Sequence, residues 1–167
     1  MNEEIVNNIA SNQKQDEEKV EVKNKITWLI FSINNKKYAI RSSEVHEIIR
    51  DLTVYKLPFL PSYIEGVINR RGDPFTVINP LSILDSMDAP PPDSTLFLIL
   101  KRTDDQLSLH ISDILSFYDM EENDIHLIPN GDNEGLYLGT IDYNKEEIPA
   151  LNSDAFELIL RKDFGNA

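Results

Sequence analysis

The side chains that do chemistry are few and scattered in this 167-residue chain. His46, His110 and His126 are its three histidines, and none has histidines or carboxylates around it at metal-ligand spacing. All three read as ordinary surface or half-buried histidines. Cysteine is absent, which removes a thiol nucleophile, a cysteine-ligated metal and any disulfide, and suits a reducing compartment. The 6 glycines are dispersed, so no loop of backbone N–H groups is built to cradle a phosphate. No serine stands in a nucleophile-elbow pattern. With 29 acidic residues some carboxylates must fall close together, and such pairs mean nothing for acid–base catalysis without a cleft. Arg71-Gly72-Asp73 spells an adhesion tripeptide but reads as a hairpin tip. The expectation is no catalytic residue, no cofactor and no metal.

The net charge of −13 works against a polyanionic ligand, since phosphate backbones draw their affinity from clustered Lys and Arg. Nucleic acid and anionic membrane surfaces are therefore not expected as partners. No apolar run approaches the roughly 20 residues that a membrane-spanning helix needs, so direct membrane insertion is not expected and a cytoplasmic location is. Residues 1–24 carry Glu3, Glu4, Asp16, Glu17, Glu18 and Glu21 with few large apolar side chains. Such a segment buries too little surface to offset its ordering entropy and reads as a disordered acidic leader.

The elements that would position any functional residue are short, β-branched and closely spaced, which predicts an all-β fold. Ile26–Ile33 reads as a strand, Asn34-Asn35 as a turn and Tyr38–Ile40 as the return strand. Ser42 or Ser43 is placed to cap a short helix with Val45, Ile48 and Ile49 along one side. Val54–Leu57 reads as a further strand stopped by Pro58 and Pro61. Gly66–Asn69 and Phe75–Ile78 form a hairpin around Arg71-Gly72-Asp73, and Leu81–Leu84 a short helix. Met87–Ser94, with Pro90-Pro91-Pro92, reads as a stiff connector.

The second half then repeats the first. Thr95–Leu100 and Leu107–Ile111 form a strand pair turning at Thr103-Asp104-Asp105, and Ser112-Asp113-Ile114 falls where Ser43-Glu44-Val45 fell. The stretch 139–152 aligns without a gap on 66–79, both opening with Gly and closing with Asn. A short helix, Ala155–Arg161, follows. The repeat predicts two packed five-stranded barrels, at about 26–86 and 94–160, within one domain spanning 25–167.

Binding is the function these features suit. Asn69, Arg70, Arg71 and Gly72 put two cations at a hairpin tip of an acidic protein. Glu47 is positioned to pair with Arg71 across the first barrel, a contact of positional more than energetic value. Val45 and Ile48 stand at spacing that serves either a core or a partner surface.

Two stretches together resemble the opening of CheW-like domains. Trp28–Ile40 with Val45-His46-Glu47-Ile48-Ile49 is one; Leu57–Gly72, with its proline-bounded approach, Gly66-Val67-Ile68-Asn69 and Arg71-Gly72, is the other. The resemblance is strong over 26–79 and mainly architectural over 95–160. It implies two intertwined five-stranded barrels of Src-homology-3 type. It further implies a non-catalytic adaptor that couples the cytoplasmic tips of chemoreceptors (methyl-accepting chemotaxis proteins) to the regulatory domain of a CheA-type histidine kinase. By the same resemblance Val45 lies on the partner-binding face, Glu47 and Arg71 form the family's acid–arginine pair, and Gly66 allows a close backbone approach. Arg70 departs from the family's usual Leu, Thr76 from Pro, Asn79 from Asp and Pro80 from Leu. The expected state is a monomer in solution that assembles in receptor arrays. The alternatives are an adaptor of a pilus or developmental kinase pathway and a small-molecule-binding barrel.

Overall fold

Eleven strands form two sheets in the computed structural model, which describes residues 23–85, 88–101, 106–128 and 135–165. Strands β1 (Lys25–Ile33), β2 (Lys36–Arg41) and β3 (Val45–Arg50) come first, then β4 (Ile64–Arg70) and β5 (Asp73–Ile78). After a one-turn helix, Pro80–Leu84, come β6 (Leu96–Leu100), β7 (Leu107–Ile111), β8 (Asp113–Glu121) and the two-residue β9 (His126–Leu127). Strands β10 (Tyr137–Tyr143) and β11 (Glu146–Leu151) lead into a C-terminal helix, Ser153–Phe164. The acidic leader up to Val22, the turn at Thr103–Asp105 and Met87 of the connector lie outside the described residues.

Turn chemistry fixes the hairpins locally. Asn34 takes φ 52°, and the two loop pairs Arg71-Gly72 and Asn144-Lys145 take positive φ throughout, as two-residue hairpin loops require. The repeat holds in backbone detail. Asn79 N–H donates to the Tyr63 carbonyl and Asn152 N–H to the Leu136 carbonyl, each at 2.8 Å. Both asparagines stand immediately before a helix, and Asn152 accepts from the Asp154 N–H at 3.2 Å to cap it.

The sheets do not follow the halves. One sheet has the order β8-β1-β2-β11-β10-β9 and the other β3-β6-β7-β5-β4. Each half lends its leading hairpin to the other: β1–β2 is inserted between β8 and β11, and β6–β7 between β3 and β5. The division at 26–86 and 94–160 is corrected accordingly, because hydrogen bonds of both sheets cross it, and the counts are six and five strands.

Burial explains the exchange. The inserted hairpins are covered on both faces, as their unbroken apolar runs Trp28–Phe31 and Leu96–Leu100 require. Leu29, Phe31, Tyr38 and Ile40 meet Leu96, Leu98, Leu109 and Ile111 in a core shared by both sheets. The alternate residues fill two separate barrel interiors, Trp28, Ile30, Ala39, Ile141 and Ile148 in one, Ile49, Ile68, Val77, Phe97 and Ile99 in the other.

Two elements differ from expectation. The predicted helix carrying Val45, Ile48 and Ile49 is a three-residue 3₁₀ turn, Ser42–Glu44, followed by strand β3, so His46 too is on a strand. The register of β3 against β6 slips between Val45 and Glu47. That slip turns a two-residue alternation into a spacing that imitates a helix. The Val54–Leu57 strand reduces to one bridge, Tyr55 to Val67.

Candidate functional site

β3 and β4 are the two edges of the five-stranded sheet, and closing the barrel brings them together. Alternation sends Ile68 and Arg70 of β4 to the face that also receives Glu47 and Ile49 of β3. The Arg70 guanidinium forks onto the Glu47 carboxylate: Nε donates to Oε2 at 3.2 Å, and Nη2 donates to Oε1. The expected Glu47–Arg71 pair is therefore corrected to Glu47–Arg70. Arg71 is the first residue of the loop, exposed at φ 53°, and its side chain is out of phase with the interior face.

Hydrogen bonding from Arg70 is the chief cause that holds the Glu47 carboxyl below its ordinary range; partial burial opposes it, and the charges of Arg70, Arg71 and His46 assist. The same bond raises the Arg70 guanidinium. Asn69 Oδ1 accepts from the Gly72 N–H at 2.8 Å and closes the tip.

Val45 and Ile48 are half-buried and pack against the shared core from β3. The β3 edge faces β8, the corresponding edge of the other sheet, with Arg50 Nη2 4.0 Å from Asp113 Oδ1. On β8, Ile114 also packs on the shared core, while Leu115 and Phe117 are 40% and 60% exposed. Sequence reasoning missed these two residues; along β8 exposed Leu115, Phe117 and Asp119 alternate with half-buried neighbours, and the first two make the exposed side of this edge strand apolar there.

Gly66 adopts φ +146°, and a Cβ built there would lie 2.2 Å from the Tyr55 carbonyl oxygen. Tyr55 and Val67 exchange backbone hydrogen bonds of 2.8 and 3.0 Å at this point. Gly139 repeats the approach in the other sheet, its Cβ position 2.4 Å from the His126 carbonyl oxygen. Beside Gly66, an apolar groove of about 420 Å³ runs between Leu57, Leu60 and Val67 and the C-terminal helix at Leu160 and Phe164.

The predicted residues thus fall into two regions. Glu47, Asn69, Arg70, Arg71 and Gly72 gather at the hairpin end of the barrel, and Val45 and Ile48 pack half-buried against the shared core from the β3 edge, while Gly66 lies on β4 where it meets Tyr55. Among the described residues no three of His, Cys, Asp and Glu cluster as metal ligands would, and no helix is long and apolar enough to cross a membrane.

The model of the CheW-like domain matches residues 27–159, which takes in both sheets. The chain belongs to the CheW-like domain family. CheW-like relatives match along most of their length. The chemotaxis protein CheW of Helicobacter pylori is 27% identical over 158 residues, covering 93% of this chain and 90% of the relative. That of Bacillus subtilis is 25% identical over 143 residues, covering 86% and 92%. In fold, the chain is similar to the crystal structure of the scaffolding protein TtCheW from Thermoanaerobacter tengcongensis. The TM-score is 0.68 at 21% identity, over 77% of this chain and 90% of that one. Arg70 is the residue that takes the Glu47 partnership here.

Proposed function

We propose that this chain is a non-catalytic scaffold that couples chemoreceptors to a CheA-type histidine kinase at the inner face of the membrane. The observation that carries the reading is the CheW-like match across both intertwined sheets, with chemotaxis CheW proteins matching over nine-tenths of their own length. An adaptor must offer two different surfaces, and the two regions differ in kind. The β3 and β8 edges, with half-buried Val45 and Ile48 and exposed Leu115 and Phe117, receive the helical hairpin tip of a receptor on their apolar surface. The hairpin end, with Glu47–Arg70, Asn69, Arg71 and Gly72, meets the kinase's regulatory domain, and Gly66 keeps β4 seated behind it. Each contact is modest alone, and affinity grows by avidity in an array of otherwise monomeric adaptors. Control acts by shifting the populated states of the kinase.

Sedimentation with receptor-containing membranes, with and without kinase, tests this. Co-sedimentation that depends on receptors, raises kinase recruitment and is weakened by Glu47→Ala, Arg70→Ala or Arg71→Ala supports coupling. If the protein stays in the supernatant with every cognate receptor and kinase, the chemotaxis reading fails, and an adaptor of a pilus or developmental kinase pathway replaces it.

A further inference from the structure

The groove beside Gly66 is open and apolar. Leu57 on one side and Phe164 of the C-terminal helix on the other are 51% and 48% exposed. On the loop that forms its rim, the Phe59 side chain stands wholly in solvent while its backbone holds φ 61°. A bulky residue in the left-handed region is strained, and an aromatic ring left in water forgoes the stabilisation of burial. Among the described residues nothing offsets either cost. A contiguous apolar surface on a strongly charged protein marks a place where something else sits.

The chain carries a segment that suits the groove. Ile5, Val6 and Ile9 are the densest aliphatic cluster of residues 1–22, and at i, i+1 and i+4 a helical turn would bring them to one face. About 150 Å³ of apolar space holds one benzene, so a groove of about 420 Å³ takes about three side chains of that order. The charges agree as well. Glu3 and Glu4 stand immediately before the cluster, in a protein with few cations. At the groove, exposed Lys56 precedes Leu57, and Arg161 lines the wall, shared with Glu157 at 2.5 Å.

Residues 1–22 also leave the fold at the end of the molecule where the groove opens. Lys23 Nζ lies 2.9 Å from Glu121, and Lys25 lines a hollow together with Ser42 and Ser43. The Glu44 carbonyl accepts from the Lys101 N–H at 2.7 Å, just past β6. Gln106, just before β7, accepts from the Thr76 N–H at 2.8 Å, and both residues line the groove. From β3 across β6 and β7 to β5 is three strand spacings, about 15 Å. Residues 10–22 reach up to about 43 Å when extended, at about 3.3 Å each, which covers that span and the hollow before it. A tethered contact works at an effective concentration in the millimolar range, so a few side chains suffice. A second copy would instead set a net charge of −13 against −13.

We propose that residues 1–22 fold back on the domain they precede and seat Ile5, Val6 and Ile9 in the groove between the 57–60 loop and the C-terminal helix. They form a tethered cover, which a partner for this face has to displace. The proposal is independent of the adaptor reading, since neither the hairpin end nor the β3 and β8 edges take part in it.

The chain has no cysteine, so Asn8→Cys places a single nitroxide spin label beside Ile9 in the full chain. Amide NMR, with the reduced label as reference, reads which residues the label approaches. The expected result is loss of more than half the intensity at Leu60, Leu107, Leu160 and Gly165. Ser43 and Glu122, near the exit, and Thr140 and Ile148, in the other sheet, are expected to keep most of theirs. Ile5→Asp with Ile9→Asp in the same labelled chain is expected to restore the groove signals; both positions lie ahead of β1, outside the sheets. Groove signals that keep their intensity, an equal loss at Ser43 and Glu122, or a loss that survives the double substitution overturns the proposal. So does a groove loss in isotope-labelled chain that carries no nitroxide and is mixed with the spin-labelled one, because the occupant is then a second copy.

Discussion

Replacing Gly66 by alanine sets two separable penalties on one atom. The new Cβ would lie 2.2 Å from the Tyr55 carbonyl oxygen, whereas ordinary contact begins at 3.4 Å, so β4 and the 55–56 backbone must part by about 1.2 Å. That distance breaks both Tyr55–Val67 hydrogen bonds, worth about 1 kcal/mol each net. Holding φ +146° with a side chain costs a further ~1–3 kcal/mol. The sum, about 3–5 kcal/mol, lowers the unfolding midpoint by roughly 10 °C in a chain of this size. Two other glycines isolate the parts. Gly139→Ala meets the His126 carbonyl oxygen at 2.4 Å and tests the contact alone, for about 2 kcal/mol. Gly72→Ala has open space around it at φ +96° and tests the backbone alone, for about 1–2 kcal/mol. Urea unfolding read by the single, fully buried Trp28 reports all three. If Gly66→Ala proves no more costly than Gly72→Ala, the close approach to Tyr55 is not what requires the glycine.

Arg70→Ala is expected to return most of the downward displacement of the Glu47 carboxyl, and Arg71→Ala only a small part, as followed by NMR titration of the Glu47 side-chain carbon. Because that carboxyl is depressed in the folded state, its stabilising effect is present at neutral pH and lost as pH falls through its folded-state titration; added salt weakens it too. Tyr63 donates to Asp163 of the C-terminal helix at 2.5 Å, and burial first, then this bond, holds the phenol well above its usual titration. Tyr63→Phe is expected to cost about 1 kcal/mol and to quicken amide exchange in the last turn of the helix, beside the apolar groove.

Legibility in the sequence followed the range of the forces. Hairpins were readable because Asn34-Asn35, Arg71-Gly72 and Asn144-Lys145 carry their turns within two residues. The short helices were readable from Pro80 and Asn152, although the second runs longer than Ala155–Arg161. β3 was misread because one slipped residue gave Val45, Ile48 and Ile49 the spacing of a helix face. Arg70 rather than Arg71 meets Glu47 because the face of a strand residue depends on where the turn begins, and the loop takes Arg71 into a left-handed conformation. His110 looked ordinary because Glu65, whose carboxylate oxygens lie 2.9 Å from its Nδ1, is remote from it in sequence. The exchange of hairpins lies between halves of the chain, beyond the reach of periodicity.

That exchange also has a consequence for how the protein comes into being. When residues up to the proline connector have left the ribosome, β1 and β2 exist as a hairpin whose neighbours on both sides, β8 and β11, have not been made. β3, β4 and β5 likewise wait for β6 and β7. Neither sheet can close during synthesis of the first half, so folding is held back until nearly the whole chain is free and then involves both barrels at once. A nick at the proline connector would yield two fragments that do not fold alone but complement one another on mixing.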